Sequence, residues 1–420
     1  MSVDDPEIAF RQAIDSVDLE ERDQPVILGV SGGGDSIAMM HLAAKSMPRD
    51  RILVLTINHG LRAEAAEECE FVGLQAKRLG IRHNTVYWQW DGKGNLQAAA
   101  RDARFEEMAK WARRWGNPAI LLGHTQDDQV ETFLMRLGRG SGVDGLASMS
   151  PVSERQGVRI VRPLLNVPRA ALRNWLRTHR IEWRDDPSND DQTFDRARAR
   201  QMLADLSNLG LTRERVLQSV DHMQAARTSL QIAAKDFAQK YVHQDKSDLV
   251  FFGEAVDLTS MDLPRRVMAA GLGWIAGQVH RPRFARLIEI VAQVNSGQTA
   301  TLSGCLLTPE GGGKIRIARE AAAAGGFIGP SENPHDDRDA VWDGRWALKG
   351  PVEFGLRVKA LGEGIVKCPD WREAGLPRTS LMASPAIWRG DELIAAPIAG
   401  LTNGWTARIV ADFHDVAFAH

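Results

Sequence analysis

Cysteine is scarce in this chain. The three present, Cys69, Cys305 and Cys368, are far apart and form no CxxC pair. That spacing excludes a zinc knot, an iron–sulfur cradle and a disulfide framework. Net charge is almost absent too: 52 Lys and Arg stand against 54 Asp and Glu. Bulk charge therefore announces no nucleic-acid partner, and any basic surface must be local. No apolar run reaches the roughly 18 residues of a membrane span, so no membrane association is expected. The first seven residues are acidic and lack an apolar signal core, which points to a cytoplasmic protein. At 420 residues, with an ordinary apolar fraction of 44%, the chain is long enough for two or three domains.

A further absence is informative at residues 26–36. An apolar run ends in Ser31, followed by Gly32, Gly33, Gly34, Asp35 and Ser36, and then by an amphipathic helix pattern. Strand, glycine turn and helix start together make a phosphate cradle. Glycines let backbone N–H groups approach an anion, and the helix N-terminus adds unpaired donors and partial positive charge. No lysine follows, so the turn is not a Walker loop, and the glycine spacing is not that of a dinucleotide fingerprint. Ser31 and Ser36 can add hydroxyl donors, and Asp35 can hold a metal ion. A glycine turn without ligand is the bland alternative. The pattern Ser-Gly-Gly-x-Asp-Ser resembles the pyrophosphate loop of the ATP pyrophosphatases, which implies ATP cleavage between the α and β phosphates.

The surrounding pattern is regular. Strands are expected at 26–30, 51–57, 82–88 and 119–123, with helices at 36–46, 63–79, 95–115 and 127–138 between and after them. Apolar strands alternating with helices indicate an α/β fold, a doubly wound parallel sheet buried on both faces. Ligands in such sheets bind beyond the carboxyl ends of the strands. Ser31, Asn58-His59 and His124 each follow a strand, so topology brings three polar clusters to one edge. A strand pair is expected within 151–161 and a helix at 168–182. Long helices follow over 200–245, helix and short strands over 247–320, a linker at 321–326, and a small, mainly β region to residue 419.

Several clusters can carry chemistry. Asp128 and Glu131 lie three apart at a helix start, so both carboxylates share one face and can seat an ammonium group or accept its proton. Acids in a first helical turn also stabilise the helix dipole, which is the structural alternative. Arg101 and Arg104 can face phosphates or a developing oxyanion from the preceding helix, or simply water. His59 is suited to nucleotide or substrate, or to a structural hydrogen bond. The glycine-rich segment around Arg139 can close over the site or act as a helix C-cap. Arg162, Arg169, Arg196, Arg198 and Arg200 are candidates for RNA phosphates, or belong to solvated helix faces. Trp342 and Trp346 can stack on bases, but their near-alternating spacing fits core packing better.

Taken together, these segments resemble the tRNA(Ile)-lysidine synthases. The resemblance rests on Ser31–Ser36, Asn58-His59-Gly60-Leu61-Arg62, Arg101-Asp102-Ala103-Arg104-Phe105 and Gly123-His124-x-x-Asp127-Asp128-x-x-Glu131-Thr132. It continues through Arg139-Gly140-Ser141-Gly142-x-x-Gly145-Leu146, Arg162-Pro163-Leu164-Leu165 and Asp186-Pro187-Ser188-Asn189. It covers roughly the first half of the chain. Asn58 stands where the family commonly has Asp, and Asp195-Arg196-Ala197-Arg198 replaces the more usual Arg-Asn-Arg run.

The resemblance implies a ligase that activates O2 of the wobble cytidine of the CAU anticodon of tRNA(Ile) with ATP. Free lysine then attacks C2 and AMP leaves. It implies a PP-loop ATP-binding catalytic domain over 1–205, a helical linker and middle tRNA-contacting domain over 206–322, and a small α+β or β tRNA-binding domain over 326–420. By the same resemblance Ser31–Ser36 and His59 hold ATP, with Mg²⁺ on Asp35. Asp128 and Glu131 hold lysine, Arg104 orients the reacting groups, and His124, Arg139, Arg162, Arg196 and Arg198 face the substrates. A homodimer is left open. A tRNA thiolase is disfavoured, because sulfur insertion needs a reactive cysteine or CxxC pairs. NAD and GMP synthetases share the loop, but their other motifs are not visible. A non-catalytic ATP-binding module on RNA is the reading from another class, and the carboxylate pair beside the loop argues against it.

Overall fold

Strand β1 (Val26–Gly29) sets the architecture because both of its faces are apolar. Val26 and Leu28 are buried on one side among Phe10, Ile37, Met40 and Leu172. Ile27 points the other way, among Leu53, Phe105 and Met108. A period of two that buries both faces requires helices above and below the sheet. The computed structural model describes residues 5–17, 19, 25–58, 60, 64–88, 96–116, 119–155, 158–184, 195–208, 210–259, 262–277, 282–325, 327–328, 340–351 and 353–418. The chain divides into two units, Met1–Arg227 and Thr228–His420.

The first unit opens with helix α1 (Pro6–Asp15), where the sequence reading placed no element. Its signal is the pair Asp5-Pro6. The Asp5 carboxylate accepts from the N–H groups of Glu7 (2.9 Å) and Ile8 (3.4 Å), and proline suits the first helical position. After β1 come α2 (Gly34–Ser46), β2 (Ile52–Asn58), α3 (Glu64–Leu79), β3 (Arg82–Tyr87), α4 (Leu96–Arg114), β4 (Ile120–Leu122) and α5 (Gln126–Leu137). The expected alternation is therefore present, with boundaries shifted by one or two residues. A short helix α6 (Val143–Leu146), strands β5 (Val152–Arg155) and β6 (Val158–Val161), and helices α7 (Arg169–Thr178), α8 (Asp195–Ser207) and α9 (Arg213–Tyr241) complete it. The division between the units falls within α9.

The six strands run in the order β3-β2-β1-β4-β6-β5. All neighbours are parallel except β5 and β6. From β1 the chain moves outward through β2 and β3, then returns to the other side of β1 as β4. That reversal is the switch point of a doubly wound sheet, the crevice in which such folds bind ligands. Helix α7 is shorter than the expected 168–182. Arg180 adopts a left-handed conformation (φ 55°), and the Ile181 N–H returns to the Leu176 carbonyl at 2.9 Å, which ends the helix. Residues 181–184 then double back toward the first strand–helix turn.

The second unit is built from antiparallel sheets. Strands β7 (Val242–Asp245), β8 (Asp248–Phe251), β9 (Ala300–Leu302), β10 (Cys305–Glu310) and β11 (Lys314–Arg319) form one sheet, ordered β7-β8-β11-β10-β9. Helices α10 (Asp262–Ala276) and α11 (Phe284–Asn295) share its core. Strands β12 (Phe327–Ile328), β13 (Ala340–Trp342), β14 (Trp346–Lys349), β15 (Leu356–Ala360), β16 (Pro385–Arg389), β17 (Glu392–Ala395) and β18 (Thr406–Ile409) form two more sheets, β12-β13-β14-β18 and β15-β16-β17. Trp342 and Trp346 face each other across β13 and β14 and are 1% and 3% exposed, so both are core residues. The expected linker at 321–326 begins as a short helical turn, Ala321–Ala323, whose Ala323 carbonyl accepts from Arg319 at 2.6 Å. Gly326 lies outside the described residues. No described helix is long and apolar enough to cross a membrane.

Candidate active site

The turn after β1 is closed by its own serines. Gly32 sits at φ 93°, a conformation that only glycine adopts without strain. The Ser36 hydroxyl accepts the Ser31 N–H at 3.2 Å and donates to the Gly33 carbonyl at 2.9 Å. Helix α2 starts at Gly34, so Asp35 occupies its first turn. Gly33 stands at the N-cap with no side chain to bond the first-turn N–H groups, which suits that end to an anion. The Arg184 N–H donates to the Gly32 carbonyl at 3.0 Å, which pins the turn from the segment following α7.

The end of β4 meets this turn edge to edge. A Cβ on Gly123 would lie 3.1 Å from both the Asp35 carbonyl oxygen and the Ser36 Cα. Neither backbone atom can yield without moving the loop. We expect Gly123→Ala to cost about 1–3 kcal/mol of stability, as overpacking does. It should also weaken nucleotide binding about tenfold, a shift of about 1.4 kcal/mol. Urea unfolding and a nucleotide titration read the two effects separately, and wild-type values in both would refute the close approach.

Helix α5 begins just beyond. Thr125 caps it, and Asp128 Oδ2 accepts both the Thr125 N–H and the Thr125 hydroxyl, each at 2.9 Å. Asp128 thus fills the capping role as well as facing the crevice. Glu131, one turn on, faces arginines. Both acids are only 5% exposed.

The residue that ties the two edges together is Arg169, the first residue of α7. Its Nε donates to Asp35 Oδ2 at 2.9 Å. Its two terminal nitrogens lie 3.5 Å from Asp128 Oδ2 and 3.5 Å from Glu131 Oε1. Its backbone N–H donates to Asp127 Oδ2 at 2.8 Å, and Asp127 Oδ1 accepts from Arg213 at 2.7 Å. Arg200 Nε stands 3.8 Å from Glu131. Burial pushes the Asp35 carboxyl above its usual range, and Arg169 pulls it only part of the way back. Burial also acts upward on Asp127, but bonds from Arg213 and the Arg169 N–H outweigh it and hold Asp127 low. Burial opposes the charge on Arg169, yet Asp35 and Asp128 more than compensate and raise its pKa. The cluster is a permanent cation among acids, at the switch point, beside the N-terminal end of α2.

Comparison with known proteins gives the family. The PP-loop domain family matches residues 6–206. The chain is 41% identical over 404 residues to the tRNA(Ile)-lysidine synthase of Ruegeria pomeroyi, covering 94% of each chain. The chain belongs to the tRNA(Ile)-lysidine synthase family. The lysidine synthase of Wolbachia pipientis wMel is 35% identical, covering 71% of each chain. That of Hyphomonas neptunium is 35% identical, covering 71% of this chain and 83% of that one.

Within this lysidine synthase family member, Asp35, Asp128 and Glu131 come together, as the sequence suggested. His124 follows β4, half-buried, its N–H on the Leu122 carbonyl at 2.9 Å. Arg104 is exposed on α4, Arg139 in the turn after α5, and Arg198 on α8. Arg162 donates to the Ser150 carbonyl at 2.7 Å and the Ser153 hydroxyl at 3.0 Å, bracing β5 and the residues just before it. His59 and the side chains of Arg101 and Arg196 lie outside the described residues. Sequence reasoning grouped Arg169 with RNA-phosphate candidates, whereas its guanidinium lies among carboxylates. It missed Asp127 and Arg213 as a supporting pair; the Gly-His-x-x-Asp-Asp run was the one available signal for Asp127, and Arg213 had none. The three cysteines are buried.

Proposed function

We propose that this protein ligates lysine to C2 of cytidine 34 in the CAU anticodon of tRNA(Ile), with ATP as co-substrate, in the cytoplasm. The observation that carries this reading is one guanidinium within ion-pair reach of the loop acid Asp35 and of the acid pair Asp128 and Glu131. An adenylation site and an amine seat are then neighbours. In the first step the cytidine O2 attacks the α-phosphorus of ATP and pyrophosphate leaves into the Ser31–Ser36 turn, where first-turn N–H groups of α2 face its charge. In the second step the ε-amine of lysine attacks C2, and AMP leaves with the former O2. The amine reaches the site as ammonium, with a reference pKa of about 10.4. Glu131 seats that ammonium and takes its proton; Asp128, held by Thr125, fixes the seat.

Asp35 is suited to a magnesium ion on the phosphates. Its donor is a hard oxygen, the ligand type that magnesium takes. Asp35 would hold such an ion beside the phosphates of bound ATP. Such an ion would neutralise phosphate charge. Arg104, Arg139, Arg162, Arg196 and Arg198 are assigned to the tRNA, His59 to the nucleotide and His124 to the substrates. Mass spectrometry of a minimal tRNA(Ile) transcript with a CAU anticodon, incubated with ATP and lysine, tests the reading. A gain of one lysine minus water at the wobble cytidine is expected. ATP binding without any RNA product would refute it.

A further inference from the structure

Arg169 occupies the place where the proposed chemistry needs another cation. Its guanidinium sets three nitrogens against three carboxylates: Asp35 at 2.9 Å, Asp128 at 3.5 Å and Glu131 at 3.5 Å. The contact to Asp35 is a hydrogen bond. The two to the acid pair are longer than a good hydrogen bond and are held by charge alone. We propose that the Arg169 guanidinium fills the seat of the lysine ε-ammonium in the empty enzyme, so that lysine binds well only after nucleotide has drawn that guanidinium away. The proposal rests on reading Asp128 and Glu131 as the amine seat.

The anchoring permits such an exchange. The Arg169 backbone is fixed by Asp127, itself held by Arg213, so the root of the side chain stays in place while its long stem can turn. Residues 181–184 run from the end of α7 back to Gly32, which sets Arg169 and the phosphate turn on one connected frame. A guanidinium leaving carboxylates finds a matching bidentate partner in phosphate oxygens, so nucleotide offers the group an alternative of equal chemistry. Two cations cannot share the pocket without repulsion. Withdrawing the first therefore opens the seat for the second and leaves Asp128 and Glu131 short of positive charge. The result is ordered binding, nucleotide before amine, which keeps lysine out of a site with nothing to react.

Equilibrium dialysis with radiolabelled lysine tests this, with and without magnesium and α,β-methylene ATP, which resists cleavage at the reacting bond. In wild type the analogue should tighten lysine binding about tenfold or more, and lysine should tighten analogue binding by the same factor, since linkage is reciprocal. In Arg169→Met, lysine should bind without nucleotide, with the two affinities within about twofold. A wild-type protein that binds lysine equally well in both conditions overturns the proposal without any variant. So does an Arg169→Met protein that retains the nucleotide dependence. Glu131→Gln separates the underlying reading: lysine bound there at wild-type affinity overturns the seat itself. Loss of lysine in Glu131→Gln, with no nucleotide dependence in wild type, overturns only the role of Arg169.

Discussion

The Asp35→Asn enzyme is expected to release pyrophosphate from ATP about 10²–10³-fold more slowly than wild type in the presence of the CAU transcript, the loss typical of removing one preorganised electrostatic contact. Asp35 is placed in the first turn of α2, directly behind the glycine turn, and is 22% exposed. Asparagine keeps the shape and can still accept from Arg169 Nε. What it removes is the negative charge that would balance a cation on the phosphates. One acid of a crowded cluster also disappears, so repulsion falls and the fold is retained. The variant should therefore unfold near the wild-type temperature while losing the first half-reaction. Pyrophosphate release by a coupled assay, beside a thermal melt, separates the two. Release at the wild-type rate would remove Asp35 from the chemistry, and products of ADP and orthophosphate would overturn the cleavage at the α-phosphorus altogether.

The second large effect is expected at Glu131. Glu131→Gln should slow lysine transfer about 10²-fold or more, the usual range for removing a general base. Adenylation of the transcript should change far less. The reason is local. Asp128 is committed to Thr125 by two hydrogen bonds of 2.9 Å and keeps α5 in place. Glu131, one turn further along the same helix face, faces Arg169 and Arg200. Single-turnover assays can follow labelled AMP on the transcript and lysidine formation in the same tube. Accumulation of the adenylated transcript in Glu131→Gln is the expected signature. Equal loss of both half-reactions would mean that Glu131 serves the nucleotide or the architecture rather than the amine.

How much of this could be read from the chain alone depends on the distance over which each feature is encoded. The strand–turn–helix order of 26–46, the parallel alternation to residue 138 and the Asp128–Glu131 pair are all local. Periods of two and 3.6 place side chains on faces, and glycines mark the turn, so the sequence by itself determined the fold of the first unit and the two edges of the site. Helix α1 carried a legible signal: Asp5-Pro6 is a helix start, and the buried Pro6, Ala9, Phe10 and Ile14 recur at helical spacing. The short antiparallel strands of the second unit were legible only in outline, since runs of two to six residues average out too little to reveal their partners. Tertiary structure alone decided the cation at the centre. Arg169 is 134 residues from Asp35, and Arg213 is 86 from Asp127. No spacing rule links such pairs. They meet because the sheet reverses direction at β1 and β4, and because α7 starts at that crevice with its first N–H already bound. The same reversal leaves Gly123 no room for a side chain, a requirement that only the packed backbone of the neighbouring turn imposes.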